Sequence, residues 1–110
     1  MRLRLSAMLP LAATVLAVGM PALPAAAQDA GALRLKALAS TCANCHGTQG
    51  RAVDGAAVPG LAGMPAAYMV EQVKAFKSGA RPATVMHQLA KGYSDAQIEQ
   101  VAAYFAAQKK

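Results

Sequence analysis

An all-α fold of three to five short helices is what this 110-residue sequence predicts. Three observations lead there. Apolar side chains recur at helical spacing in the middle and at the C-terminal end, and Gly and Pro punctuate the intervals between these stretches. Nowhere does a run of alternating β-branched residues suggest a strand, and no internal repeat is visible.

The chain begins with a segment unlike the rest. Arg2 and Arg4 precede an almost wholly apolar run from Met8 to Met20, and small residues then lead to Ala25-Ala26-Ala27. That order predicts a secretory signal peptide over residues 1–27, cleaved after Ala27, with a single periplasmic domain over residues 28–110. Pro10 interrupts the apolar run, which is shorter than the roughly 20 residues of a bilayer span. No membrane span is therefore expected after cleavage.

Within residues 28–110 the elements follow in order. Gly31 to Ala43 is rich in good helix formers and predicts a first helix, with Leu33, Ala37 and Ser40 or Thr41 along one side. From Gly47 to Gly63 come five glycines and Pro59 without a sustained period, which predicts a loop that wraps something. Pro65 suits the start of a second helix and Gly79 its end, with Met69, Val73 and Phe76 at i, i+4 and i+7 between them. Thr84 to Ala90 has room for another turn or two before Gly92. Ser94 followed by Gln97 predicts a capping box, and Ile98, Val101, Ala102 and Phe105 form the apolar stripe of a C-terminal helix.

Composition says that this core is short of bulk. The 83 residues after Ala27 contain no Trp, two Phe and three Tyr, in a domain small enough for its apolar core alone to be marginal. A large, flat apolar cofactor would remove the shortage. The same residues carry nine Lys and Arg against five Asp and Glu. A mild basic balance can favour docking on an acidic partner. The cations are scattered, without the aromatic interleaving of a nucleic-acid surface, so no nucleic-acid partner is expected.

Cys42-Ala43-Asn44-Cys45-His46 is a C-x-x-C-H sequence, which in an exported protein is the haem attachment signature. On a helical turn, residues 42, 45 and 46 share a side. Two thiols can thus reach neighbouring vinyl groups while an imidazole points at the iron. C-x-x-C also occurs in thiol redox centres and zinc sites. A thioredoxin-like centre would show βαβ patterning, and a structural zinc needs four ligands, for which only His87 is an obvious addition to Cys42, Cys45 and His46.

Three segments in order carry a resemblance: Cys42 to Gly47; Pro59-Gly60-Leu61-Ala62-Gly63 leading into Tyr68, Gln72, Phe76, Lys77 and Gly79; and Met86 ahead of Ser94-Asp95 and Ala103-Tyr104-Phe105. Together they resemble the small bacterial class I cytochromes c, over nearly all of residues 31–110. The resemblance implies several short helices wrapped around one haem c, bonded covalently through Cys42 and Cys45, with His46 on the iron. It also implies that the Pro59 carbonyl accepts a hydrogen bond from the His46 ring, and that Tyr68 and Phe76 pack against the haem or the last helix; as aromatic residues at helical spacing they are read as core. Many family members carry a glycine where the first and last helices cross; Ala37 or Ala39 stands in for it here.

For the sixth iron position the same family uses a Met thioether from the loop before the last helix, a soft ligand that favours ferrous iron. Met64 lies only 18 residues after His46, leaving little chain to round the ring edge. Met69 falls in an apolar helical stripe, where core packing is the commoner role. Met86, 40 residues after His46, matches the family position. His87 beside it is an alternative ligand.

With both axial positions filled, the expected function is one-electron transfer and not catalysis. The stretches Arg81 to Met86 and Ala90 to Asp95 most resemble the cytochrome subunit of flavocytochrome c sulfide dehydrogenase, which implies a flavoprotein partner. The alternatives are a soluble carrier serving a terminal oxidase or another dehydrogenase, and a haem peroxidase or gas-binding protein with an open sixth position.

Overall fold

The structure is a computed structural model that describes residues 25–110, with side chains from Asp29 onward. All but the last three residues of the expected signal peptide lie outside the described residues. Four α-helices, α1 (Ala25–His46), α2 (Ala66–Ser78), α3 (Met86–Leu89) and α4 (Asp95–Ala106), are joined by irregular chain and two 3-10 turns, Thr48–Gly50 and Ala90–Gly92. No strand occurs among the described residues, and no described helix is long and apolar enough to cross a membrane.

Helix α1 is longer than the sequence suggested and faces the core with a different side. Leu33 is 68% exposed and Ala37 also faces solvent. Leu35, Leu38, Ala39 and Cys42, spaced i, i+3, i+4 and i+7, turn inward instead, with Ala39 only 2% exposed. An Ala-rich helix has little contrast between its sides, so the fit against neighbouring helices selects the buried one. Ala39 clusters with Met69, Val101, Ala102 and Phe105, and its small side chain lets α1 approach α4 closely. It takes the expected place of a glycine at this crossing; Ala37 does not.

Helix α2 begins after Pro65 and stops at Gly79, whose left-handed φ of 83° lets its N–H reach the Phe76 carbonyl at 3.2 Å. Met69 enters the core, while Val73 and Phe76 are half-buried. Tyr68, expected in the core, is 48% exposed, because it precedes Met69 by one residue and so points about a quarter-turn away. The turn expected between Thr84 and Ala90 forms as α3 and the 3-10 turn after it.

Helix α4 starts at the expected capping box. Gln97 N–H donates to Ser94 Oγ at 3.2 Å, and Ser94 N–H donates to Gln97 Oε1 at 2.9 Å. Ile98, Val101, Ala102 and Phe105 are all buried, and Phe105 completely so, with Tyr104 edge-on to it at 5.1 Å. Burying a side chain of the size of Phe or Ile contributes about 1.5–3 kcal/mol. This stripe is therefore the main support of the domain.

The glycine-rich loop folds back over the end of α4. The Gly50 carbonyl accepts from the N–H groups of both Leu61 and Ala62, and Gly63 N–H donates to the Phe105 carbonyl at 2.9 Å. Arg51 Nε adds a bond to the Lys109 carbonyl at 2.7 Å.

Candidate cofactor site

Cys42, Cys45 and His46 occupy the last two turns of α1. Both cysteines are free thiols; Cys42 is half-buried and Cys45 exposed. Burial, and after it the neighbouring Cys45, push the Cys42 thiol above its ordinary pKa. Among the described residues, no three His, Cys, Asp or Glu side chains converge closely enough to hold a metal ion. A zinc site thus lacks its donor set, and a thioredoxin-like centre lacks its sheet.

Helix α1 ends because Gly47 follows it with φ 88°, and a Cβ there would fall 2.0 Å from the Arg51 carbonyl oxygen. The sharp exit sends the chain into the Thr48–Gly50 turn, whose Gly50 carbonyl pins Leu61 and Ala62. Gly60 permits that approach, since a Cβ on it would lie 3.1 Å from the Gly50 oxygen. These contacts carry the Pro59 carbonyl to the His46 ring, where Nδ1–H donates to it at 2.6 Å. That bond fixes the tautomer and leaves the Nε2 lone pair available to a metal.

Cys42 opens on a small cleft of about 50 Å³, lined also by Met69, Val73, Met86, Tyr93, Ile98 and Val101. Met86, the first residue of α3, is half-buried and meets Cys42 across this space. Met69 also reaches the lining but belongs to the core cluster, and Met64 packs against that cluster's edge. His87 lies outside the lining, half-buried, its Nδ1 enclosed without a hydrogen-bond partner. Cys45 and His46 stand at the helix end beside Cys42 but outside this lining; the donor set, with two thiols a turn apart, an imidazole with one nitrogen engaged and a thioether on a nearly apolar wall, fits a covalently held haem in its chemistry.

Two residues of the site went unread in the sequence. The Tyr93 hydroxyl lies 2.5 Å from Thr41 Oγ1, directly before Cys42, and the Tyr93 carbonyl accepts from Lys77 Nζ at 2.7 Å. A signal for Tyr93 was present. It immediately precedes the N-cap Ser94, and Ile98 is four residues into the helix, the spacing of a hydrophobic staple.

Comparison with known proteins agrees with this geometry. A family model described as cytochrome c matches residues 34–109. The thiosulfate dehydrogenase electron acceptor of Thiomonas intermedia (strain K12) is 40% identical over 67 residues, covering 61% of this chain and 31% of that protein. The cytochrome subunit of sulfide dehydrogenase from Chlorobaculum tepidum is 35% identical over 85 residues, covering 77% of this chain and 76% of its relative. A solved cytochrome c4 from Acidithiobacillus ferrooxidans superposes with a TM-score of 0.63 at 34% identity, over 71% of this chain and 49% of the other. The chain thus spans about a third of the first relative and half of the cytochrome c4, but three quarters of the sulfide dehydrogenase subunit. The resemblance drawn from three motifs and the all-α fold both hold, and the chain belongs to the cytochrome c family, whose members carry electrons on covalently bound haem c.

Proposed function

We propose that this chain is an exported, periplasmic, single-haem cytochrome that moves one electron at a time. In this reading Cys42 and Cys45 would hold the ring covalently through their sulfurs, and His46 and Met86 would be the residues that ligate its iron. The observation that carries it is the His46 Nδ1 bond to the Pro59 carbonyl, which leaves Nε2 free at the same helix end as the two thiols.

Haem bound there supplies an iron that cycles between ferric and ferrous. The residues of the chain do the rest. Pro59 orients the imidazole and raises its basicity, and the apolar side chains around Met86 limit water at the sixth position. The Met86 thioether, a soft ligand, favours the ferrous state and raises the potential. An open-site peroxidase or gas binder would need an acid–base group beside that position. The only other described histidine, His87, is not on the cavity wall.

As partner we propose a flavoprotein sulfide dehydrogenase, with this chain as its electron-accepting subunit; the balanced coverage of the Chlorobaculum relative supports this. The Thiomonas relative favours a second reading, a carrier that accepts electrons from a thiosulfate-oxidising enzyme. Purification from native cells separates the two. Elution with a flavoprotein supports the first, and elution alone with reduction by a thiosulfate dehydrogenase supports the second.

The mass of the exported chain in denaturant tests the central assignment. It should equal the polypeptide from Gln28 plus one haem, and fall to the bare polypeptide when both Cys42 and Cys45 are replaced by Ala. A wild-type mass equal to the bare polypeptide contradicts the proposal.

A further inference from the structure

The segment that presents Met86 has a weak hold on the domain. Helix α3 is a single turn, and Val85 and Leu89, four residues apart on its outer side, are 55% and 51% exposed. Of residues 80–93 only Ala90 is fully buried. Segments with so few buried contacts open at low free energy unless something ties them down. At its near end Arg81 ties the segment to α2, its N–H donating to the Ala75 carbonyl at 3.1 Å and its guanidinium to Gln72 Oε1; at its far end, beyond Met86, the tie is Tyr93.

We propose that Thr41 and Tyr93 form a latch that holds the Met86 segment against the cysteine-bearing helix and so positions the Met86 sulfur; this rests on the reading of Met86 as an axial ligand. The hydroxyls are 2.5 Å apart and join residues separated by 52 positions. Thr41 Oγ1 lies 2.8 Å from the Leu38 carbonyl and donates its single proton there, so it accepts from the Tyr93 hydroxyl. The Tyr93 ring lines the same cavity as Cys42 and Met86. Tyr93 is also anchored from behind, since Lys77 Nζ bonds its carbonyl at 2.7 Å and the Asp95 carboxylate at 3.1 Å. The residue is thus fixed at its backbone by α2 and at its hydroxyl by α1, and the chain between Met86 and Tyr93 is short enough for one bond to restrain both. Thr41 and Tyr93 are positioning residues, acting on the iron through Met86.

The test is imidazole binding to the oxidised, haem-loaded protein, where added imidazole must displace the sixth ligand. Tyr93→Phe and Thr41→Val each remove the bond with little change in shape. A hydrogen bond of ordinary net strength predicts about fivefold tighter imidazole binding in each. The double variant should bind no more tightly than either single one, because both remove the same interaction. Thr41→Ser, which restores the hydroxyl, should bind as the wild type does. Ser40→Ala, which removes a neighbouring helix hydroxyl bonded only to Ala37, should also leave affinity unchanged. A merely structural role would lower the denaturation midpoint without this pattern of imidazole affinities. Wild-type affinity in both single variants, with the sulfur-to-iron band present in the parent protein, overturns the latch and leaves the ligand assignment standing. Absence of that band in the parent overturns the assignment and the latch together.

Discussion

Around His46 the chain is held by several contacts at once: the end of a 22-residue helix, a glycine that turns sharply, the Pro59 carbonyl on the ring, and a loop bonded to both Gly50 and Phe105. Around Met86 it is held by one helical turn, one buried alanine, the Arg81 bonds to Ala75 and Gln72 of α2 at its near end, and the Tyr93 bonds at its far end. The His46 side is built into the core and the Met86 side is fastened to it. A small electron carrier needs both ligands in place but has apolar bulk for only one well-packed side, so the second depends on individual polar contacts.

Substitutions on each side can break this contrast, and the largest effect belongs to the core. Phe105→Ala empties the centre of the packed half and should cost about 3–5 kcal/mol, measured by denaturant unfolding of the haem-loaded protein. In a small domain that is a large share of the total stability. Gly47→Ala comes next. A Cβ 2.0 Å from the Arg51 carbonyl at positive φ forces the backbone to move, with an expected loss of about 2 kcal/mol and a weaker His46–Pro59 bond, which makes the imidazole less basic and is visible as a higher reduction potential.

Ser94→Ala removes one half of the capping box and should cost about 1 kcal/mol in the same unfolding measurement. Asp95→Asn sharpens the account through pH. Bonding to Lys77 first, and then the charge of Lys74, hold the Asp95 carboxyl below its ordinary pKa. A lowered folded-state pKa stabilises the fold above the unfolded value of about 4 and loses that contribution as pH falls through the folded value. The gap in stability between the parent protein and the Asn variant should therefore narrow as the pH drops below about 4. Smallest of all, Leu89→Ala on the exposed side of α3 should change stability by less than about 0.5 kcal/mol.

The same contrast governs what was legible in the sequence. Helix α4 was readable because local chemistry defines it: Ser94 and Gln97 mark its start, and four apolar residues at helical spacing mark its buried side. Pro65 and Gly79 likewise bounded α2. The buried side of α1 was not readable, because its alanines fit either way and only the approach to Ala102 and Phe105 selects Leu38 and Ala39 over Leu33 and Ala37. Tyr68 misled for a related reason, since an aromatic near a buried stripe need not lie within it. The C-x-x-C-H spacing marked Cys42, Cys45 and His46, which a single helix end brings together. The Thr41–Tyr93 bond escaped notice because it joins residues far apart in sequence, neither of which is unusual in its own neighbourhood.

The near-infrared spectrum of the oxidised, haem-loaded protein tests the central claim most directly. A sulfur-to-iron band in the parent protein that survives Met64→Leu and Met69→Leu but disappears in Met86→Ala is the predicted result. A parent spectrum without the band, or a band that persists in Met86→Ala, contradicts the assignment of His46 and Met86 as the pair that holds the iron.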